Sequence, residues 1–117
     1  GYYLRPVIVR DPDPYQEIVT CEQFGPVIPL IPYRTEQEAI DMANDTEYGL
    51  GSSIWSSDFE RAIRFSREID AGMTFINQNG SSKLGAKHIP FGGVKQSGIG
   101  REALEGYSEC HAINYHK

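Results

Sequence analysis

The apolar residues of this chain fall into short runs separated by glycine, proline and helix-capping residues. Residues 2–9, 27–33 and 50–55 are rich in β-branched, aromatic or small side chains and predict three strands. Residues 73–77 predict a fourth, compact strand. Apolar side chains at helical spacing predict a helix from Thr35 to about Asn44.

Two capping boxes, in which Ser or Thr precedes Glu by three residues, mark where helices begin. Thr35 and Glu38 open the first helix, and Ser57 and Glu60 open the second. Gly72 fits the left-handed residue that ends a helix. The resulting order of strands and helices, with short connections, predicts an α/β fold with a parallel sheet. Ligands of such sheets collect beyond the carboxyl ends of the strands.

Composition argues against several classes of protein. The chain has 117 residues, which suits a single domain. A net charge of −5 argues against a nucleic-acid binder, which needs a basic surface. No apolar run is long enough to predict a membrane span. Two cysteines and three scattered histidines predict neither a disulfide scaffold nor a metal site, and they favour a cytoplasmic setting. The chain begins at Gly1 without methionine, so we expect a piece of a longer protein.

The glycine-rich stretch Pro90–Glu102 carries an aromatic and several charged side chains on a backbone unsuited to regular structure. The loop after Asn77 starts at the carboxyl end of a predicted strand, and it leads directly into this stretch. Within it, Gly98, Gly100 and Ala103 match a dinucleotide-binding pattern. That match is rejected, because no strand precedes it and its acidic partner would fall beyond the chain.

Glu22 and Phe24 flank a glycine–proline break before the second predicted strand. The carboxylate can accept hydrogen bonds from a ribose diol, and the ring offers an apolar face two residues later. The alternative is an exposed glutamate beside a core phenylalanine, which the spacing alone favours.

Three segments in this order resemble the C-terminal quarter of the aldehyde dehydrogenase superfamily. They are Glu22–Val27, Asn44–Leu50 and Pro90–Glu102. The resemblance implies the C-terminal part of the family's catalytic α/β domain, with a parallel sheet and flanking helices, over residues 1–106. It implies a C-terminal oligomerisation strand over residues 107–117.

The resemblance also implies the reaction, in which an aldehyde, NAD or NADP and water give a carboxylic acid and the reduced cofactor. By position, Glu22 resembles the carboxylate that holds the nicotinamide ribose, and Phe24 resembles the ring beside the nicotinamide. Phe91 resembles an aromatic residue of the substrate tunnel. Glu102 resembles a carboxylate in a proton relay. The family's nucleophilic cysteine lies upstream of the match, so the chain by itself is expected to be inactive.

Residues 110–116 predict a terminal strand outside the β–α–β pattern, which either pairs with another subunit or forms an edge of its own sheet. The first option predicts a homo-oligomer. The resemblance implies a small aldehyde as the partner, and the net charge and the apolar runs predict no nucleic-acid or membrane partner. The competing hypothesis is a stand-alone, non-catalytic interaction module derived from the same family. A reading frame that extends upstream through a cysteine-bearing segment would exclude that module. The sequence does not identify the aldehyde.

Overall fold

The computed structural model describes residues 1–79, 92–98 and 111–115, and the chain divides into two compact units. These units are Gly1–Ala39 and Ile40–Lys117. The boundary expected between residues 106 and 107 lies outside the described residues. The architecture is mixed α/β with parallel sheets, as the strand and helix pattern predicts.

The first unit is a parallel β–α–β arrangement. Strand β1 (Val7–Arg10) pairs in parallel with strand β2 (Val27–Leu30), and the short helix α1 (Glu17–Thr20) lies in the connection. Both strands are shorter than the sequence predicts. β1 begins directly after Pro6, which lacks the N–H that a ladder needs. β2 ends at Leu30 and contains Pro29, which is opposite Val9 in the ladder.

The apolar side chains of this first sheet are largely exposed. Ile8 and Ile28, which are partners in the ladder, are 68% and 64% exposed. Pro12 is the one fully buried residue among residues 1–39, all of which the structure describes. Parallel strands are normally buried on both faces. This sheet has the apolar composition of a buried sheet, but its apolar side chains are exposed in this chain.

The second unit holds a three-stranded parallel sheet and a small antiparallel pair. The three strands follow the order β4 (Gly51–Ile54), β5 (Met73–Ile76), β7 (Ala112–Tyr115). The antiparallel pair is β3 (Tyr48–Gly49) with β6 (Val94–Lys95). The expectation that no strand precedes Gly98 is therefore wrong, although β6 has only two residues. Its helices are the end of α2 (Glu36–Asn44), which crosses the boundary between the units, and α3 (Phe59–Ser66).

The core of the second unit forms around Ile40, Ile69 and Ala71, against which Ile54 and Phe65 pack. Helix α3 adds a ring contact in which Phe59 meets Tyr115 of β7 edge-on, with the centroids 4.9 Å apart. The most protected strand is β5, in which Thr74 and Ile76 are fully buried. Helix α3 buries Ala62 and Ser66 on its inner side.

The two predicted capping boxes have different outcomes. At α2, Thr35 Oγ1 accepts a hydrogen bond from the Glu38 amide at 3.2 Å, as predicted. The Glu38 carboxylate accepts from the amide of Arg34 at 2.7 Å. At α3, the prediction of Ser57 as the cap is wrong. Asp58 is the cap and accepts from the Arg61 amide at 3.0 Å, because both residue types cap well and α3 begins one residue later.

The prediction that Gly72 ends a helix in the left-handed conformation is also wrong. Helix α3 ends at Ser66, and the φ of Gly72 lies outside the left-handed range. A β-carbon at Gly72 would lie 1.9 Å from the carbonyl oxygen of Gly92. Glycine is required here because two backbones touch, which is its other common structural use.

The C-terminal strand β7 pairs in parallel with β5 of its own chain, from Met73 opposite Ala112 to Ile76 opposite Tyr115. This is the edge-strand alternative raised by the sequence. Within the described part of the chain, no helix has both the length and the apolar character needed to cross a bilayer.

Candidate functional site

The segment between α1 and β2 carries the predicted cofactor residues of the first unit. Helix α1 ends where the Cys21 amide donates to the Glu17 carbonyl at 2.9 Å. The chain then runs without regular structure to Pro26, whose carbonyl accepts from the Val7 amide at 2.9 Å. This bond fixes the downstream end of the segment to β1.

Both predicted cofactor residues point into solvent. Glu22 is exposed and Phe24 is 94% exposed. The alternative in which Phe24 belongs to the core is therefore wrong for this chain. An exposed carboxylate and an exposed ring within three residues can bind a group that has both hydroxyls and a flat apolar face.

In the second unit, residues 92–98 are held by hydrogen bonds to the turn that contains β3. The Gly49 amide donates to Ser97 Oγ at 2.9 Å, and the Gln96 amide donates to the Glu47 carbonyl at 2.9 Å. A β-carbon at Gly49 would lie 2.7 Å from Val94 Cγ2. These contacts hold the described part of the glycine-rich stretch directly against the backbone of residues 47–49.

Asn44, the last residue of α2, joins three segments of the second unit. Its side chain accepts from the Asp70 amide and donates to the Glu68 carbonyl, both at 2.8 Å. Its main-chain carbonyl accepts from Lys95 Nζ at 2.7 Å. Asn44 is the first residue of the motif Asn44–Leu50. Its side-chain amide joins the end of α2 to Glu68 and Asp70.

Lys95 reaches this junction from β6 with a left-handed backbone, at a φ of 54°. Its ammonium group also lies 3.9 Å from the Asp70 carboxylate, and its side chain is 24% exposed. A cation at the C-terminus of α2 is favourable, because the last carbonyls of a helix carry partial negative charge. The contact compensates for part of the unfavourable backbone conformation.

A second junction closes the carboxyl end of β5. Asn77 has a φ of 56°, and its amide donates to the Ile54 carbonyl at 2.8 Å. Its side chain accepts from the Ser56 amide and donates to the Ser56 carbonyl, both at 2.9 Å. The side chain thus continues the β4–β5 ladder for one more step while the backbone turns away.

Gln78 follows immediately and is only 6% exposed. Neither the nitrogen nor the oxygen of its side-chain amide has a hydrogen-bond partner among the residues that the structure describes. The side-chain nitrogen of Asn114, inside β7, is also buried and has no hydrogen-bond partner among the described residues. Buried amides are normally satisfied, so each of these groups calls for a partner.

A chain of polar side chains runs across the three-stranded sheet. Thr74 Oγ1 lies 2.8 Å from Ser52 Oγ and 2.8 Å from Nε2 of His111. Burial lowers the pKa of His111 from its ordinary value, so its imidazole is neutral at pH 7. This network fixes the start of β7 on the fully buried Thr74.

The second unit also contains an open cavity of about 410 Å³ beside the Asn44 junction. Its lining combines two cations, one carboxylate, an imidazole and apolar side chains: Arg67, Ile69, Asp70, Ala71, Val94, Lys95 and His111. The Asp70 carboxylate offsets one of the two cations.

The predicted site residues are not all within the described part of the chain. Phe91 and Glu102 lie outside the described residues, as does Cys110. Glu22 and Phe24 belong to the first unit, as does Cys21, which is exposed. The described residues contain no group of three or more His, Cys, Asp or Glu side chains that could hold a metal ion.

The comparison with protein families decides which family these features belong to. The model of the aldehyde dehydrogenase family matches residues 1–113. The chain belongs to the aldehyde dehydrogenase family. The resemblance seen in the sequence motifs is confirmed, and the glycine-rich stretch is part of the matched region.

Relatives in the family match this chain over a small part of their own length. Betaine aldehyde dehydrogenase, chloroplastic, of Atriplex hortensis is 44% identical over 105 residues, which are 90% of this chain and 20% of the relative. An aldehyde dehydrogenase of Mycobacterium tuberculosis, solved with NAD+, has a TM-score of 0.77 and 42% identity, covering 91% of this chain and 21% of its own.

A second solved structure is aldehyde dehydrogenase C of Pseudomonas syringae, a mutant in complex with NAD+ and octanal. It has a TM-score of 0.77 and 40% identity, covering 92% of this chain and 21% of its own. This chain therefore spans about a fifth of the length of these relatives.

The sequence predicted neither the burial of Gln78 nor the hydrogen bonds made by Asn44. The signal for Asn44 was present, because the motif Asn44–Leu50 carried part of the resemblance. Gln78 gave no signal, because a glutamine after a strand is ordinary and only its burial makes it unusual.

Proposed function

We propose that this chain is the C-terminal part of an NAD- or NADP-dependent aldehyde dehydrogenase that oxidises an aldehyde to a carboxylic acid. Membership in the family supports the reaction, and the NAD+ complexes of the related structures support the cofactor. The observation that carries the proposal is the exposed pair Glu22 and Phe24 beside a glycine–proline break. We call the longer protein that would contain this chain the parent protein.

The described residues fit the nicotinamide half of the cofactor. The carboxylate of Glu22 has two oxygens that can accept from the two hydroxyls of a ribose. The exposed ring of Phe24 can lie against the flat pyridine ring. When bound, the cofactor supplies the hydride acceptor, and these two side chains orient it.

Two further roles rest on the family resemblance alone. Phe91 is proposed to line the tunnel through which the aldehyde enters. Glu102 is proposed to relay a proton from the group that activates water. The nucleophilic cysteine is proposed to belong to the remainder of the parent protein, so the 117 residues alone should not turn over.

The test of the cofactor site is Glu22→Ala in the parent protein, with Glu17→Ala as the control. Both are exposed glutamates of the first unit. We expect Glu22→Ala to slow hydride transfer in a single turnover by about tenfold or more, the effect of losing charge-assisted hydrogen bonds. Aldehyde binding should change little. An unchanged hydride step in Glu22→Ala would show that the assignment of Glu22 is wrong.

The C-terminal strand is proposed to mediate oligomerisation. Strand β7 uses one edge to pair with β5, and no strand covers its other edge in the described part of the chain. An open edge presents unpaired N–H and C=O groups to a second chain. Light scattering should therefore report an oligomer, and a monomer at high protein concentration would contradict this role.

The cytoplasmic setting stays a prediction, and the sequence does not decide between NAD and NADP. The related betaine aldehyde dehydrogenase is named as chloroplastic, so relatives do not define a compartment for this chain.

A further inference from the structure

The amide of Gln78 is buried and has no partner in the described part of the chain, for its oxygen and its nitrogen alike. An unsatisfied buried amide is costly, and a glutamine also loses much side-chain entropy when it is ordered. A structural role would normally satisfy at least one half of the amide. The burial of both halves without a partner indicates that the partner comes from elsewhere.

The place of Gln78 in the fold favours a ligand as that partner. It is the second residue after β5, at the carboxyl end of a parallel sheet, where α/β proteins bind their ligands. Strand β5 is central in its sheet, between β4 and β7. Residues after central strands reach the crevice above the sheet.

Hydrogen bonds hold the residue before Gln78, so the backbone that carries the Gln78 side chain is preorganised. Asn77 makes three hydrogen bonds, to Ile54 and Ser56, and holds a left-handed backbone. Left-handed backbone at a residue other than glycine is unfavourable and concentrates at functional sites. The bonds of Asn77 therefore fix the point from which the Gln78 side chain starts.

We propose that Gln78 is a specificity-determining residue of the aldehyde pocket, which binds the polar tail of the substrate. The inference rests on the proposed function. A primary amide offers donors and an acceptor without net charge. It therefore suits an uncharged tail that itself carries both, such as an N-acylated amino group. An alkyl tail in the same place leaves both halves of the amide unsatisfied, and buried polar groups reject such analogues.

The test uses the parent protein and two aldehydes of equal size. One is N-acetyl-γ-aminobutyraldehyde, and the other is the branched alkyl aldehyde with the same number of non-hydrogen atoms. Gln78→Met keeps the length of the side chain and removes its polar atoms. Gln16→Met makes the same change at an exposed glutamine whose side chain makes no capping hydrogen bond, and serves as the control.

We expect Gln78→Met to lower the ratio of kcat/KM for the acylated over the alkyl aldehyde by roughly tenfold, the loss of one or two neutral hydrogen bonds. The ligand-free melting temperature of Gln78→Met should equal or exceed that of the wild type, because an unsatisfied buried amide has been removed. Gln16→Met should change neither quantity.

Two results would overturn the role of Gln78. One is an unchanged kcat/KM ratio in Gln78→Met, whatever its melting temperature. The other is a fall of several degrees in melting temperature with equal losses for both aldehydes, which would assign the partner to the parent's own polypeptide. A wild-type parent that reduces neither NAD nor NADP with any aldehyde would instead overturn the proposed function. The two failures are therefore distinguishable.

Discussion

The ammonium group of Lys95 donates a 2.7 Å hydrogen bond to the main-chain carbonyl of Asn44, 51 residues earlier in the chain. This bond ties the described part of the glycine-rich stretch to the end of α2. Because the stretch adjoins the proposed substrate-tunnel residue, its anchoring affects both stability and the proposed site. We expect each of the following variants of the parent protein to report on one junction of the second unit.

Replacing Lys95 with Met should lower the free energy of unfolding by about 1.5–3 kcal/mol, the usual effect of losing a hydrogen bond from a charged group. The left-handed backbone at this residue would then remain without its compensating contact. Lys95→Arg is the control that keeps the charge. Denaturant unfolding measures the difference, and a loss below about 0.5 kcal/mol in Lys95→Met would show that the bond contributes little.

Replacing Asn44 with Asp should be more damaging than its small change in size suggests. The carboxylate keeps the acceptor for the Asp70 amide but loses the donor to the Glu68 carbonyl. It also places negative charge at the C-terminus of α2, which is unfavourable. We expect a loss of about 2 kcal/mol in unfolding free energy. Asn79→Asp, at an exposed position, is the control, and equal effects of the two would contradict the junction.

Replacing Gly72 with Ala should destabilise the packing of residues 92–98 against Gly72, because the new β-carbon would lie 1.9 Å from the Gly92 carbonyl oxygen. Overpacking of this kind costs about 1–3 kcal/mol. Gly25→Ala is the matched control, because a β-carbon at Gly25 meets nothing within 4 Å. Thermal unfolding should separate the two variants clearly. A melting temperature for Gly72→Ala equal to that of Gly25→Ala would contradict the contact.

The stability of the second unit should depend on pH through His111. Burial lowers the pKa of His111 in the folded state, so the unfolded chain takes up a proton first as the pH falls. The stability that this group contributes is complete above a pH of about 6.5 and is lost as the pH falls through the lowered pKa. His111→Gln should flatten this part of the profile. An unchanged profile of unfolding free energy against pH would exclude His111 as its source.

The sequence predicted the strands and helices well where local chemistry decides them. Strand β1 begins directly after Pro6, and the start of α2 is marked by Thr35. Errors arose where the local sequence allows more than one outcome. Asp58 and the predicted Ser57 are both good capping residues, and Gly72 serves a close backbone contact.

Long-range junctions could not be predicted from local patterns. Asn44 bonds to residues 24 and 26 positions later, and only the folded chain brings them together. The burial of Gln78 is likewise a property of the fold. For Phe24, spacing alone favoured a core position, but its ring is 94% exposed, because exposure depends on what the folded chain places around it.

The touching backbones of Gly72 and Gly92 leave no side chain between them that could change rotamer. Residues 92–98 therefore cannot loosen gradually through small side-chain adjustments. Moving residues 92–98 away would break the β3–β6 pair and the bond from the Gly49 amide to Ser97 Oγ, so we expect these contacts to open together.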